Sequence, residues 1–517
     1  MNIGGWLAHW AHVEPDREAI VDLSCDRRFT YHDLESGAAK ASRWLTLQGI
    51  QAGQTIAILA QNRVGHVELL FACARKQIIL VPLNWRLAAP ELAFILTDCD
   101  PALILVENEL AHLLPAGHPG VIPLEAIAPW SIPDGQDGAG NGVARTGKLA
   151  SDAELVHSLL DPLTCDPGTD SDPLMILYTS GTTGRPKGAL LTHRSVTFNS
   201  INTTLSWDLS GRDSTLTHTP FFHTGGWNVL TLPLLHRGGR VLMTPRFNPE
   251  ETLDLVDKER ITILFAVPTM YEMMMRSDNF GSTTFESLRF AISGGAPCPE
   301  EIHTRFRERG IQFKQGYGLT EVGPNCFSIS LSDAARFPQS VGYPIHNERI
   351  RLVDAAGLDV TRGEVGELWL SGPHVFGGYW KNPQATVAAF PDGWFRTGDL
   401  AQQDEEGRTF IVGRRKEMFI SGGENVYPAE VERVILSHPA IQQAAVFGLP
   451  DPKWGEVGCA VLVREKGQNI ENEALKSHCS LHLARYKIPK RFEFVEVMPL
   501  TATGKIAKAE LQKTYSA

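Results

Sequence analysis

Along the chain, short apolar runs alternate with longer stretches in which apolar positions recur every three or four residues. TIAILA (55–60) precedes a helical pattern, HVELLFACARKQ (66–77). ILVPL (79–83), a helix from about Ala89 to Thr97, and ALILV (102–106) follow. Strand-length runs separated by helices predict α/β layers built on a largely parallel sheet. LMILYT (174–179), GALLTH (188–193) and TLTHTP (215–220) read as further strands. Residues 111–170 break the rhythm. They are rich in Pro, Gly and Asp, as in PDGQDGAGNG (133–142), and read as loop with a short helix near 152–160.

After FIVGRRKEMF (410–419) the pattern changes. YPAEVERVILSH (427–438) reads as a helix, with Pro428 where a first helical turn accepts it. Strands QAAVFGLP (443–450) and GCAVLVRE (458–465), a helix over 471–484 and a strand RFEFVEV (491–497) complete an α+β unit of about 100 residues. A boundary is expected near Gly413–Lys416.

The 517-residue length is about three times that of a single domain. At 43% hydrophobic residues the chain is too apolar to be disordered, and the net charge of −11 argues against a nucleic-acid partner. The eight cysteines form no C-x-x-C pair and have no histidine at zinc spacing, so they read as thiols of a reducing compartment. The N-terminus lacks a basic start and an apolar stretch. Runs such as QIILVPL (77–83) and ITILFAV (261–267) are strand-sized. The expectation is a cytoplasmic protein with no transmembrane segment.

Five segments carry candidate chemistry. YTSGTTGRPKG (178–188) lies between two strands, and its small residues, hydroxyls and Lys187 suit a phosphate-binding loop. It misses the Walker pattern, with Pro186 and Gly188 in the wrong places. SGGAP (293–297) and QGYGLTE (315–321) follow strands, where open α/β sheets place ligands; Tyr317 suits a flat base and Glu321 suits Mg²⁺. In GWFRTGDLA (393–401), Asp399 suits vicinal hydroxyls. GRRKEMFISGGENVYPAEVE (413–432) is a basic, glycine-punctuated connection, and PLTATGKIAK (499–508) carries Lys505. Singly, each also fits a turn, a core tyrosine or a surface charge.

In this order, the set resembles the adenylate-forming superfamily of acyl-CoA synthetases, adenylation domains and beetle luciferases, over essentially the whole chain. ISGGENVYPAEVE, LPDPKWGE (449–456) and LARYKIPK (483–490) are most similar to bacterial fatty-acyl and aryl-CoA synthetases. The resemblance implies a large N-terminal domain (1–413) of layered α/β subdomains, with parallel sheets and a small β-barrel-like subdomain. A hinge (414–417) and a small mobile C-terminal α+β domain (418–517) would follow. It implies two half-reactions: a carboxylate and MgATP give acyl-AMP and pyrophosphate, then coenzyme A takes the acyl group and AMP leaves.

By the same resemblance, Thr179, Ser180, Gly181, Thr182, Thr183, Gly184 and Lys187 hold phosphates, and Glu321 with Thr179 holds Mg²⁺. Gly294, Gly295 and Ala296 line the adenine pocket with Tyr317 on the base. Gln315, Gly316 and Thr320 complete the nucleotide contacts, Asp399 and Arg414 hold the ribose, and Lys505 bridges carboxylate and α-phosphate. His223, Trp227, Leu230, Gly294, Gly318 and Val322 line the acyl pocket, with Gly225 and Gly226 leaving room. Gly422, Gly423, Arg246 and Lys487 serve coenzyme A, Lys416 is the hinge residue, and a homodimer is compatible with the family. Phe222 and His223 stand where amino-acid-activating relatives place an Asp, which favours an apolar acid. Alternatives are a ligase loading a carrier protein, a luciferase-like monooxygenase and an inactive scaffold. The intact motif residues argue against the last.

Overall fold

A computed structural model of the protein describes residues 2–115, 120–126, 168–179, 186–501 and 506–516. Four sheets organise them. The first has seven strands, in the order Phe313–Gln315, Phe290–Ser293, Ile263–Ala266, Ser214–Thr217, Arg240–Met243, Glu18–Asp22 and Arg27–Thr30. All its pairs are parallel except the last. The second runs Val121–Pro123, Leu103–Val106, Thr55–Leu59, Ile79–Pro82, Pro173–Thr179 and Lys187–Thr192. It is parallel up to its final antiparallel hairpin.

Thr55–Leu59, Ile79–Pro82, Leu103–Val106, Pro173–Thr179, Lys187–Thr192 and Ser214–Thr217 form where their residues predicted, whereas Val121–Pro123 is a strand within the stretch read as loop. Thr55–Leu59 and Ile79–Pro82 are buried along their whole length, as strands covered on both faces must be. The intervening helix Val64–Lys76 buries every residue from Val64 to Ala74 and ends at Gln77 in the left-handed conformation. Helix Tyr31–Leu47 starts at a capping box between Thr30 and Asp33. The helix expected near 152–160 lies outside the described residues.

The third sheet is antiparallel and open, in the order Phe327–Ser328, Ser340–Pro344, Thr409–Arg414, Phe395–Gln403, Val365–Ser371 and Arg349–Val353. It is the barrel-like element of the expected α/β fold, curled but not closed. The fourth is centred on the long strands Ile441–Asp451 and Gly455–Arg464, with Phe419–Ser421, Glu424–Val426 and Arg491–Phe494. Alternation sends Ala444, Val446, Ala460 and Leu462 to one core, under helices Pro428–Leu436 and Asn472–His482. Ala445, Phe447, Cys459 and Val461 go to a second core, under helix Lys508–Tyr515. No helix among the described residues is long and apolar enough to cross a membrane.

Gly342, at an irregularity between Ser340–Pro344 and Thr409–Arg414, has φ +90°, and a Cβ there would lie 2.2 Å from the Ser328 carbonyl oxygen. Gly363 has a similar φ of +93° but open space around it. Gly342→Ala is therefore expected to cost about 2–4 kcal/mol in chemical denaturation, and Gly363→Ala clearly less. Equal losses would show that φ alone, and not the backbone contact, demands the glycine.

Candidate active site

Strands Phe290–Ser293 and Phe313–Gln315 are parallel neighbours, with Ser293 opposite Gln315, so they release their next residues at one edge. Gly294, Gly295 and Ala296 leave the first strand, and Gly316 and Tyr317 leave the second. The Gly316 amide donates to the Ser293 carbonyl at 2.7 Å. Gly295 has φ +83°, and a Cβ on Gly294 would meet the Phe265 ring at 3.3 Å. The Oε1 of buried Gln315 has no hydrogen-bond partner, which leaves an acceptor available at this edge.

Tyr317 reaches across to the third sheet, where its hydroxyl donates to Asp399 Oδ2 at 2.6 Å. Asp399 is paired in register with Arg414, whose Nε lies 3.1 Å from Oδ1. Asp399 is buried, whereas the Arg414 side chain is about half exposed. Burial and the Asp399 charge push the Tyr317 phenol well above its usual range, so it stays a donor.

Glu321, on the short turn Thr320–Val322, is the second buried carboxyl. Its Oε1 accepts from the Tyr379 hydroxyl at 3.1 Å and lies 3.5 Å from Thr179 Oγ1. Thr179 and Lys187 are opposite each other in the antiparallel hairpin of the second sheet. Lys187 Nζ sits 5.0 Å from the Tyr379 ring centroid. Burial pushes the Glu321 carboxyl up, while hydrogen bonds from its own backbone and Tyr379 and the Arg414 charge pull the other way. The all-oxygen set of Glu321, Thr179 and Tyr379 fits a hard cation such as Mg²⁺. Ser180, Gly181, Thr182, Thr183, Gly184 and Lys505 lie outside the described residues. Leu500 and Ile506 form an antiparallel bridge, and Lys508 pairs with Glu417 (3.2 Å) and Glu432 (2.7 Å).

The acyl-pocket candidates divide. His223 is half-buried against the Phe222 ring at 4.6 Å, and Phe222 meets Trp85 edge-on at 6.0 Å. Trp227 is fully buried, stacked on Phe221 at 4.0 Å with its Nε1 donating to the Phe221 carbonyl at 2.6 Å. Leu230 and Val322 belong to the same main core. Gly318 and Gly226 are set by backbone approach: a Cβ would lie 2.3 Å from Pro324 and 2.6 Å from the Pro220 carbonyl oxygen, respectively. Gly226 therefore does not leave a void, contrary to expectation. A Cβ on Gly225 would meet Phe265 at 3.5 Å, so Gly225 and Gly294 border one ring. Phe265, Tyr379 and Trp85 were not singled out from sequence. Tyr379 stands in a GGYW run directly after a strand and loop, a signal of the kind that marked Tyr317.

Gly422 and Gly423 form the turn between Phe419–Ser421 and Glu424–Val426, both at positive φ, and a Cβ on Gly422 would meet the Trp454 ring at 2.9 Å. Trp454 is 41% exposed, with Lys453 and Lys490 nitrogens 5.1 and 4.8 Å from its ring centroid. Lys487 is held by both oxygens of Glu430 at 2.8 Å. Arg246 donates to Gln61 at 2.9 Å beside Trp85. Lys416 is exposed in the turn between Thr409–Arg414 and Phe419–Ser421.

Strand-end glycines, a tyrosine gripping a carboxylate, and an oxygen cluster beside a hairpin lysine together define an adenylate-forming enzyme. The chain belongs to the AMP-binding enzyme family: the AMP-binding enzyme model matches residues 7–380, and the model of that family's C-terminal domain matches residues 430–505. It is 36% identical to a feruloyl-CoA synthase of Amycolatopsis sp, over 99% of both chains. It is also 36% identical to an indoleacetate–CoA ligase of Aromatoleum aromaticum (99% of this chain, 98% of the other). A long-chain-fatty-acid–CoA ligase, FadD13, of Mycobacterium tuberculosis is 35% identical (100% and 99%). Among solved structures, ATP-bound MatB from Rhodopseudomonas palustris superposes with a TM-score of 0.85 at 30% identity, covering 100% of this chain and 99% of that one.

Because burial raises the Glu321 carboxyl, this group without Mg²⁺ binds protons more readily in the folded state, and its own contribution to stability falls as pH rises above the usual carboxylate range. Glu321→Gln is expected to raise the melting temperature of ligand-free protein at neutral pH. It should lower Mg²⁺-dependent pyrophosphate release by about 10²-fold or more. An unchanged melting curve would show that the carboxyl carries no burial penalty.

Proposed function

We propose that this chain is an AMP-forming acid–thiol ligase that joins an apolar carboxylic acid, aryl or fatty, to coenzyme A. The observation that carries the reading is the convergence of two buried carboxyls with different partners at one edge: Glu321 among hydroxyls and Asp399 between Tyr317 and Arg414. The first suits a cation and phosphates; the second suits a ribose. The glycines at the strand ends let a flat base lie close to the backbone.

In the first half-reaction the substrate carboxylate attacks the α-phosphorus of ATP and pyrophosphate leaves. Mg²⁺ held by Glu321 and Thr179 would supply charge neutralisation. Lys187, opposite Thr179, places a cation at the mouth of the 180–186 loop, whose residues would hold the β- and γ-phosphates. Gln315, Gly316 and Thr320 would complete the nucleotide and acyl-adenylate contacts. Lys505 would bridge the attacking carboxylate and the α-phosphate, two anions that otherwise repel. In the second half-reaction the thiol of coenzyme A attacks the acyl carbon and AMP leaves. Residues 418–517 would swing about Lys416 between the two steps, removing Lys505 and bringing up the Gly422–Gly423 turn. The exposed Trp454 between Lys453 and Lys490 offers a stacking face and cations for the nucleotide end of coenzyme A, which Lys487, already paired with Glu430, does not.

The acid side would be walled by His223 and Phe222, whose rings are 4.6 Å apart, and by Phe265 beside Gly225 and Gly294; none of these offers a carboxylate for an amino group. Relatives named for ferulate, indoleacetate and long-chain fatty acids support an apolar acid. A second reading, transfer to a carrier protein, is favoured by one relative, a fatty acid–[acyl-carrier-protein] ligase of Streptomyces coeruleorubidus at 33% identity.

A panel of aryl and fatty acids with ATP and either coenzyme A or a holo-carrier protein separates the readings, with AMP as readout. Coenzyme A-dependent AMP from at least one apolar acid is expected; AMP released only with the carrier favours the second. Lys505→Ala should reduce adenylate formation by about 10²-fold or more while largely sparing thioester formation from supplied acyl-AMP. Equal loss in both halves would overturn the assignment of Lys505.

A further inference from the structure

Sequence spacing gave no reason to place a transition metal in this chain, yet the fold brings a cysteine, a glutamate and a histidine together. Cys326 follows the Thr320–Val322 turn, Glu348 immediately precedes strand Arg349–Val353, and His374 follows strand Val365–Ser371. One donor atom from each lies within 4.8 Å of the other two. The side chains of Glu348 and His374 are 0% and 1% exposed. Neither Glu348 oxygen and neither His374 ring nitrogen has a hydrogen-bond partner. A buried carboxyl and a buried imidazole left without hydrogen-bond partners are costly unless something satisfies them, and one donor atom of each lies in the cluster.

The separation points to what fills it. His374 Nε2 and Glu348 Oε2 are 3.5 Å apart, longer than the roughly 2.7–3.0 Å that a charge-assisted hydrogen bond between them would adopt. Donors around a tetrahedral zinc ion, at bond lengths of about 2.0–2.3 Å, stand about 3.3–3.8 Å from one another. Without an ion the Cys326 thiol donates to the Gly323 and Val322 carbonyls at 3.2 and 3.6 Å, contacts it would give up as a thiolate ligand. A thiolate and a carboxylate also cancel the charge of a divalent ion, which a buried site requires. Mixed sulfur, nitrogen and oxygen donors select zinc over the magnesium of the nucleotide site.

We propose that Cys326, Glu348 and His374 bind a structural zinc ion that braces the loop carrying Tyr317 and Glu321. The ion joins three segments. The Cys326 amide donates to the Tyr317 carbonyl at 3.0 Å, and the Ile345 amide donates to the Cys326 carbonyl at 3.2 Å, leading to Glu348. His374 lies two residues before Phe376, whose amide donates to the Glu321 carbonyl at 2.8 Å, and five before Tyr379. The three residues are positioning residues: they act through the backbone of Tyr317, Glu321 and Tyr379 and are not themselves among the proposed nucleotide contacts.

The test is metal analysis of full-length protein purified without chelator from zinc-supplied cells, alongside protein from cells grown with cobalt instead. About one zinc per chain is expected in wild type, falling to trace in Cys326→Ser and in His374→Gln. The cobalt form should show a near-ultraviolet thiolate-to-metal band and the visible bands of tetrahedral cobalt. The cobalt spectrum of wild type stands even if one variant fails to fold. Zinc at trace level in wild type with no thiolate–cobalt band overturns the proposal and leaves a neutral Glu–His pair. Full zinc retention in both folded variants overturns it as well, by placing the metal elsewhere.

Discussion

Three sheets meet at one carboxyl. Glu321 follows the first sheet, its partner Thr179 ends a strand of the second, and Tyr379 follows a strand of the third. Burying that carboxyl is unfavourable for its ionised form, so its surroundings are polar and converge on it. The segment holding Tyr379 is itself laid along the hairpin strand: the Gly377 amide and the Leu190 carbonyl bond at 2.8 Å, and the Leu190 amide and the Gly378 carbonyl at 2.9 Å. The backbone thus fixes the distance between Lys187 and Tyr379 before any ligand arrives. Preorganisation of this kind is what an anion-transfer site needs, because charge stabilisation is then not spent on rearranging the protein.

Asp399 follows the same logic with different partners. A strand pair sets it opposite Arg414, and Tyr317 closes over it from the first sheet. Two sheets therefore share one hydrogen bond, and the aromatic ring that suits a purine is oriented by the carboxylate that suits its sugar. On the proposed function, Lys187 and Arg414 would give a chain of net charge −11 local cations for a polyanion.

Much of this was legible in the sequence. Strand-length runs and helical periodicity located both parallel sheets, because fully buried strands read as continuous apolar runs. Tyr317, Glu321 and Asp399 lay in glycine-punctuated segments after strands, and the structure gathers them at one edge. The antiparallel third sheet was legible only through the family resemblance, since strands such as Arg349–Val353 and Phe395–Gln403 mix exposed and buried positions irregularly. Trp227 shows a different limit: a tryptophan beside glycines suggests a pocket wall, but its nitrogen has a backbone partner and its ring is stacked in the core. The Cys326–Glu348–His374 cluster had no local signal at all, because its residues come from three separate loops.

The fourth sheet encloses a core on each face, and all the side chains in those two cores come from residues 419–515. One of its links to the first sheet's helices is the exposed Arg276–Glu465 pair at 3.5 Å, a contact worth little energetically. The interior of the smaller unit is therefore packed from its own residues, although its helix Pro428–Leu436 also lies against strand Thr409–Arg414. Substitutions at the proposed acid-side residues, such as Phe222, His223 and Phe265, change no side chain of those two cores. Over evolutionary time, a unit whose interior is self-contained can be inherited almost unaltered while its neighbour changes.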